Sequence, residues 1–269
     1  MADESEVASK FDFSAHRESA VAKYKEIRPL YQDFAEKAKS ILAYILGAAD
    51  IKYPSIEARA KDVNKFGDKA SKSSELDSTK PKYPNPLEDI TDMAGVRVIT
   101  FLPQTVEDVC SLIDREFIVL ERVDKAEKLI NEGKFGYQSI HFLVKMLPDR
   151  TELPEYRRYK DLILEIQVRT ILQHAWAEME HDIQYKSTME IPALFQRRFI
   201  ALAGLLEIAD REFQMLQDEN ERIRHQKETK IKEHIANLRK SLAEGSTSDK
   251  EYAIEALKDL NLRLEREIK

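Results

Sequence analysis

The chain has 269 residues, of which 34% are charged, and its formal net charge of −6 argues against a protein whose overall charge attracts nucleic acid. Its single cysteine, Cys110, excludes an internal disulfide and a zinc site built from cysteines, which is typical of a reducing compartment. The acidic start has no apolar run, and no segment approaches the roughly 20 apolar residues of a membrane span. We therefore expect a cytoplasmic protein without a membrane partner.

The N-terminal third predicts two helices and a loop. Apolar residues from Ile27 to Leu42 recur at helical spacing and predict one long packing helix between about residues 15 and 49. Pro54 followed by Ser55 predicts the start of a second helix, with Ser55 as its N-cap. The Ser- and Pro-rich residues 71–89 predict a loop, because X-Pro pairs disfavour helix.

The middle of the chain carries the signals of a sheet. Four short runs rich in β-branched and aromatic residues predict strands, and a segment of helical spacing, residues 105–116, lies between the first two. The four runs are residues 95–101, 117–123, 138–146 and 162–169. Strands and helices in this order predict a mixed sheet with helices, of the α/β or α+β class.

The last hundred or so residues return to helical patterns, first over residues 171–186 and then from about 192 to 242. Gly245 and the polar residues after it break the pattern, which then resumes. The apolar positions at helical spacing are Ile231, Ile235, Leu238 and Leu242 before the break and Ile254, Leu257, Leu260 and Leu264 after it. They predict a C-terminal helical hairpin with an apolar seam, suited to self-association or regulation.

The run Leu162–Thr170 has an apolar face and a charged one. Because side chains alternate across a strand, Glu165, Gln167 and Arg169 point to the same side. Asp92 stands just before another predicted strand, and with Glu165 it could supply the one or two carboxylates that Mg²⁺ prefers, if the fold brings the two strands together. A turn-forming Asp and a strand-edge Glu are the alternative.

A lysine-rich segment precedes these strands. If it is helical, Lys61, Lys65, Lys69 and Lys72 form one stripe, with Arg59 just upstream. Ammonium groups this dense repel one another and favour a neighbouring anion, and a polyphosphate needs several of its charges neutralised at once. An ordinary solvated face is the alternative.

Two further patterns combine aromatic and polar groups. Tyr137, Ser139 and His141 share one face of a predicted strand, where the tyrosine ring could stack on a flat base; an ordinary polar strand face is the alternative. His174 and Glu178 lie one turn apart on a predicted helix. With His181 on the same face they suggest a zinc or di-iron site, but the spacing matches neither a zinc protease nor a di-iron bundle. We therefore expect His174 and Glu178 to orient a substrate or to support the neighbouring strand.

The order of these patterns resembles the synthetase domain of RelA/SpoT-type alarmone synthetases over roughly residues 51–186. The matching segments are Arg59-x-Lys61, Asp92-x-x-Gly95-x-Arg97, Gly136-Tyr137-x-Ser139-x-His141, Glu165-Ile166-Gln167-Val168-Arg169-Thr170 and His174-Ala175-Trp176-Ala177-Glu178 with Tyr185-Lys186. The resemblance implies an α+β, nucleotidyltransferase-like fold. It divides the chain into an N-terminal helical segment (1–50), a pyrophosphotransferase domain (51–190) and a C-terminal helical extension (191–269).

The same resemblance implies an enzyme that uses Mg²⁺ and moves the β,γ-pyrophosphate of ATP to the 3′-hydroxyl of GDP or GTP, making (p)ppGpp. Arg59 and Arg97 would clasp the adenine, while Lys61 and Lys69, with Lys65 nearby, would hold the ATP phosphates.

The catalytic and acceptor-side roles also follow from the resemblance. Asp92 and Glu165 would bind Mg²⁺, and Glu165 would also take the proton of the attacking hydroxyl. Tyr137 would stack on the acceptor base. The other predicted acceptor-side residues are Ser139, His141, Gln167, Arg169, His174 and Glu178.

Two departures from the family pattern are visible. Lys65 stands where relatives usually carry a serine, which puts the phosphate contacts in doubt. No adjacent His-Asp pair precedes Asp92, so a hydrolase domain is not expected and the chain is similar to the small single-domain synthetases.

Several alternatives stay open at this point. Some small relatives are toxins that pyrophosphorylate the 3′ CCA end of tRNA, and Lys65, Lys72, Lys80 and Lys82 could hold a tRNA backbone. An adenosine nucleotide could be the acceptor instead. The C-terminal helices could bind an antitoxin, inhibit the domain or belong to a non-catalytic assembly module, although the presence of both carboxylates favours an active enzyme.

Overall fold

The computed structural model describes residues 11–124, 139–186 and 193–267. The chain forms two compact units, residues 1–211 and 212–269. No helix in these described stretches is both long enough and apolar enough to cross a bilayer.

The first unit is built on a five-stranded sheet. Its strands are β1 (Ser55–Ala60), β2 (Ala94–Thr100), β3 (Phe117–Asp124), β4 (Ile140–Met146) and β5 (Leu164–Thr170). The order across the sheet is β1-β2-β5-β4-β3; β2 and β5 are parallel, and the other neighbours are antiparallel. The predicted mixed sheet of an α+β fold is therefore confirmed.

The helices predicted over about residues 15–49, 105–116, 171–186 and 192–242 are present, and further helices lie elsewhere in the described chain. Their bounds are α1 (Phe13–Ala48), α2 (Val63–Ala70), α3 (Pro86–Asp89), α4 (Pro103–Glu116), α5 (Pro148–Thr151), a 3₁₀ turn (Arg157–Tyr159), α6 (Ile171–Lys186), α7 (Ala193–Glu244) and α8 (Thr247–Glu267). Asp12 caps α1 by accepting hydrogen bonds from the backbone N–H groups of Ser14 and Ala15. The predicted loop holds for most of residues 71–89, with one short helix at its end.

Alternation along the strands creates the core. On β5, Leu164, Ile166 and Val168 are fully buried, and they join the apolar stripe of α1, including Phe34 and Leu42, in one cluster. Burial of large side chains such as these stabilises the fold by roughly 1.5–3 kcal/mol each. The opposite face of β5 is thereby left for polar side chains. α1 packs against β1, β2 and α2. The domain boundary near residue 50 stays a prediction.

Two local predictions are wrong. Residues after Pro54 form strand β1 instead of a helix, because Ser55–Ala60 pairs antiparallel with β2 and buries Ile56 and Ala60 against the core. The single lysine stripe is also wrong: α2 begins at Val63, so Lys61 precedes the helix. Asp62 sets this start by accepting hydrogen bonds from the N–H groups of Asn64 and Lys65.

The second unit contains the end of α7 and α8, with the helical break where the sequence predicts it. Leu238 and Ala253 are buried, and Leu242 and Leu257 are half-buried, which fits an apolar seam. Ile254 was expected in this seam but is 46% exposed, because the neighbouring Ala253 takes the buried position.

Candidate active site

The strand register places polar side chains in rows across one face of the sheet, because paired residues on neighbouring strands point the same way. Two adjacent rows run across β1, β2, β5 and β4. The first row is Glu57, Arg97, Gln167 and His141. The second row is Arg59, Gly95, Glu165 and Leu143. The charged face predicted for β5 is thus continued by both of its neighbours.

Glu165 is held at the centre of this face. His141 Nδ1 lies 3.0 Å from Glu165 Oε1, and Gln167 Nε2 donates to Oε2 at 2.9 Å. Since a carboxylate only accepts, His141 donates through Nδ1, and its Nε2 can accept from the Ser139 hydroxyl at 2.8 Å. Burial raises the pKa of Glu165, but the contacts with His141 and Gln167 outweigh this and leave the pKa below its usual value. Glu165 is therefore ionised at neutral pH.

Asp92 is the second carboxylate, and two lysines neutralise it. Lys61 Nζ donates to Asp92 Oδ2 at 2.6 Å and Lys69 Nζ to Oδ1 at 3.1 Å. Burial raises the pKa of Asp92, whereas the hydrogen bonds and charges of Lys61 and Lys69 lower it by more, so its net pKa falls below the usual range. The Lys61 backbone N–H donates to the Met93 carbonyl at 2.9 Å, which fixes the lysine beside the start of β2.

A cavity of about 480 Å³ opens over these rows, which is within the usual size range of ligand pockets. It brings together seven of the predicted site residues: Arg59, Lys61, Lys65, Asp92, Arg97, Glu165 and Gln167. Gly95 lies in its floor, where an added Cβ would meet only the backbone oxygens of Arg59 and Glu165, both at 3.9 Å. We call this space the donor-side cavity.

A smaller cavity of about 130 Å³ is lined by both carboxylates, Asp92 and Glu165, together with Lys69 and His141. Mg²⁺ prefers one or two carboxylates and takes its remaining ligands from water and phosphates, so this pair fits a magnesium ion. Among the residues that the structure describes, no group of three or more His, Cys, Asp or Glu side chains could hold a metal ion by itself. Water and substrate phosphates would supply the remaining ligands.

A third cavity, of about 180 Å³, lies on the other side of Gln167, and we call it the acceptor-side cavity. Four predicted residues, Ser139, His141, Gln167 and Arg169, line it. α6 adds Gln173, Trp176, Ala177 and Glu180 to its wall. Burial raises the pKa of Glu180.

Between the donor-side and acceptor-side cavities, Glu178 bridges two arginines. Its Oε1 accepts from Arg97 Nη1 at 3.0 Å and from Arg169 Nη2 at 3.1 Å. Burial and the charge of Arg97 lower the pKa of Arg169 to about 10, so it stays protonated at neutral pH. Burial and the two arginines lower the pKa of His174, which keeps this imidazole neutral. The expectation that His174 and Glu178 support the strand fits this cluster.

Some site residues were not predicted, and one predicted residue cannot be placed. Tyr137 lies outside the described residues. Arg28 on α1 lines the donor-side cavity, and Glu57 on β1 bonds Arg97 there, at 3.0 Å. The alternation of β1 could have indicated Glu57. Nothing in the helical pattern of α1 distinguishes Arg28 from a surface arginine.

An α+β sheet that gathers two carboxylates and several cations around one cavity is the arrangement expected of a protein that binds a polyphosphate with a divalent metal. The family model described as "Region found in RelA / SpoT proteins" matches residues 58–190, about half of the chain. The chain belongs to the RelA/SpoT family.

Two curated relatives agree with this assignment. The GTP pyrophosphokinases YwaC and YjbM of Bacillus subtilis (strain 168) are 33% identical over 106 residues and 31% identical over 108 residues. Each match covers 39% of this chain and 47% of the relative, so the chain spans about half the length of these relatives.

Two solved structures share the fold. Small alarmone synthetase 1 from Bacillus subtilis superposes with a TM-score of 0.61 at 23% identity, covering 74% of this chain and 98% of that chain. A GTP pyrophosphokinase family protein from Streptococcus pneumoniae gives a TM-score of 0.59 at 20% identity, covering 75% of this chain and 96% of that chain.

Proposed function

We propose that the protein transfers the β,γ-pyrophosphate of ATP to the 3′-hydroxyl of GDP or GTP and so makes the alarmone (p)ppGpp. One observation carries this proposal: the carboxylates of Asp92 and Glu165 face one small cavity that adjoins a larger, cation-lined one. The names of the similar proteins support it. The curated relatives are GTP pyrophosphokinases, and small alarmone synthetase 1 has been solved with its product pppGpp and with AMPCPP.

The donor-side cavity would take ATP. Arg59 and Arg97 lie on neighbouring strands and would hold the adenine between their guanidinium planes. Lys61 and Lys69 each use one N–H to bond Asp92 and keep two more for phosphate oxygens. Lys65, which replaces the usual serine, would add a further cation at the same wall.

Asp92 and Glu165 would hold Mg²⁺, which would neutralise the phosphate charge that develops during transfer. Glu165 would accept the proton of the 3′-hydroxyl as O3′ bonds to the β-phosphorus and the bond from that phosphorus to the α-phosphate oxygen breaks, releasing AMP. The ionised state of Glu165 and its two fixed hydrogen bonds suit a base that must be held in place.

The acceptor-side cavity favours a guanine over an adenine. Guanine presents the N1–H and amino N–H donors side by side, and the carboxylate of Glu180 can accept both, whereas adenine has no N1–H. Gln173 beside it offers a donor and an acceptor. Tyr137 stays the predicted stacking partner of the base.

The tRNA alternative receives less support from the lysines proposed for it. Lys80 Nζ lies 3.2 Å from Asp77, and Lys82 Nζ lies 2.6 Å from Glu75. A phosphate backbone would have to compete with these carboxylates. The nucleotide acceptor is the better hypothesis, because the curated relatives are GTP pyrophosphokinases.

We also propose that the second unit mediates self-association. Phe213, Met215, Leu216 and Ile223 are exposed on its part of α7. Light scattering of the full chain would test this. A monomeric wild type, or an oligomer that persists in Leu216→Lys, would contradict the proposal.

The function is tested by incubating the full chain with Mg²⁺ and γ-³²P-ATP, offering GDP, GTP, ADP and bulk tRNA in separate reactions. We expect label on GDP and GTP. Label on tRNA alone, or on ADP in preference to the guanine nucleotides, would contradict the acceptor assignment. Label on no acceptor would contradict pyrophosphate transfer itself.

A further inference from the structure

The N-terminal helix supplies a cation to the donor-side cavity. Arg28 lies on α1, outside the family-model match of residues 58–190, yet it lines the same wall as Lys61 and Lys65. Its Nε donates to the backbone carbonyl of Lys61 at 3.1 Å. An arginine has five N–H donors, so four remain on the outer nitrogens.

Three residues on one stripe of α1 fix the end of β1. The Tyr24 hydroxyl donates to the Lys61 carbonyl at 2.9 Å, and Gln32 accepts from the Ala60 N–H at 2.8 Å. With Arg28 they follow a spacing of four residues, which places all three on one face of the helix. Arg28 is therefore held by the backbone carbonyl of Lys61, just after the end of β1. A backbone group fixes its orientation more firmly than a flexible surface side chain would.

Ion pairing in this cavity distinguishes Arg28 from Lys61 and Arg97. Lys61 is paired with Asp92, and Arg97 is paired with Glu57 and Glu178. Within the described part of the chain, no carboxylate lies within ion-pair distance of the Arg28 guanidinium; its one hydrogen bond is to the Lys61 carbonyl. The Asp62 carboxylate lines the same cavity and acts on Arg28 only from beyond ion-pair distance. A guanidinium that is held in place, half-buried and without a direct carboxylate partner is suited to an incoming anion.

We propose that Arg28 binds the phosphates of the donor nucleotide, so that the N-terminal helix completes the active site. This inference rests on the proposed function, because it assumes a nucleoside triphosphate in the donor-side cavity. It extends that function to a residue that the family region does not contain. A guanidinium fork can hold two phosphate oxygens at once, which a lysine cannot do with fixed geometry.

The test compares binding of AMPCPP and of adenosine, each with Mg²⁺, to the full chain by calorimetry. We expect Arg28→Gln to weaken AMPCPP binding by about tenfold to a hundredfold, because a charge-assisted contact is lost. Adenosine binding should not change, since adenosine has no phosphate.

Two matched controls separate a phosphate contact from a structural role. Tyr24→Phe removes the other hydrogen bond to the Lys61 carbonyl and keeps the ring that stacks on Phe66. Lys25→Gln removes an exposed charge from the same helix. Both should bind AMPCPP within about threefold of wild type, well below the effect of losing a charged contact.

Equal AMPCPP affinity in Arg28→Gln and wild type would overturn the proposal. So would a parallel loss of AMPCPP and adenosine binding in Arg28→Gln and Tyr24→Phe, because it would show that Arg28 acts only through the Lys61 carbonyl. If Arg28→Gln fails to fold, the same comparison of AMPCPP affinity with adenosine affinity is made for Arg28→Lys. We then expect a smaller loss of affinity, for AMPCPP but not for adenosine. Failure of wild type to bind AMPCPP would refute the donor assignment as well.

Discussion

Replacing Glu165 by glutamine should abolish transfer while leaving the fold almost intact. The side chain keeps its size, and one oxygen can still accept from Gln167. The new amide N–H can donate to His141 Nδ1 if the imidazole changes tautomer and donates through Nε2 to the Ser139 hydroxyl. The loss of stability is then the difference between charged and neutral hydrogen bonds, about 1 kcal/mol.

The loss of activity should be far larger. A positioned general base contributes roughly 10²–10⁴-fold to the rate, and the variant also removes one of the two carboxylates proposed for Mg²⁺. We therefore expect kcat to fall at least about a thousandfold, while the affinity for AMPCPP without Mg²⁺ stays near the wild-type value. Initial rates with γ-³²P-ATP and GDP, together with a thermal melt, measure both effects.

Glu107→Gln provides the matched control. Glu107 lies on α4 and forms an exposed ion pair with Arg122 on β3. The same chemical change there should leave turnover and the melting temperature nearly unaltered. A folded Glu165→Gln variant that turns over within about tenfold of wild type would refute the reasoning, because such a small loss is below what removal of a general base costs.

Three further substitutions probe separate parts of the site. Asp92→Asn should destabilise the fold by about 1–3 kcal/mol at neutral pH, because it leaves Lys61 and Lys69 without their counterion. The pKa of Asp92 is lower in the folded protein than in the unfolded chain, where it is about 4. Its contribution to stability is therefore complete above about pH 4 and is lost as the pH falls through the folded pKa. The unfolding free energy of the variant should vary less with pH below about 4 than that of wild type. Gly95→Val should fill the floor of the donor-side cavity and raise the KM for ATP about tenfold or more. The strand should tolerate the substitution, because an added Cβ meets no atom closer than 3.9 Å and valine favours strands. An unchanged KM would contradict the placement of the donor. Glu180→Gln should lower kcat/KM for GDP about tenfold while leaving AMPCPP affinity unchanged, and unchanged discrimination between GDP and ADP would contradict its role.

Sequence reasoning succeeded where side-chain alternation is strong. The period of two in β5 places Glu165, Gln167 and Arg169 on one face, and the structure confirms that Leu164 and its apolar neighbours are buried on the other. It failed for β1, whose short sequence contains Glu, Arg and two Ala residues that favour helix. Only the pairing with β2 makes this segment a strand, and such tertiary information is not local to the sequence.

Arg28, the site residue on α1 that the sequence did not predict, was missed for a similar reason. The order of motifs along the chain predicted seven of the residues that line the donor-side cavity. Arg28 is 33 positions before Lys61, and an arginine on an amphipathic helix is usually a solvated residue. Its position over the cavity depends on how α1 lies across the end of β1, which the hydrophobic stripe alone does not determine.

Charge pairing explains how so many cations can gather on one face of a sheet. Lys61 and Lys69 share Asp92, and Arg97 and Arg169 share Glu178, so a carboxylate between each pair of like charges offsets their mutual repulsion. The same Asp92 is proposed as a metal ligand, whereas Glu165 is held by hydrogen bonds from the Gln167 amide and from His141 Nδ1. The two substitutions should therefore differ in their effects: Asp92→Asn harms both stability and transfer, whereas Glu165→Gln harms transfer with only a small loss of stability.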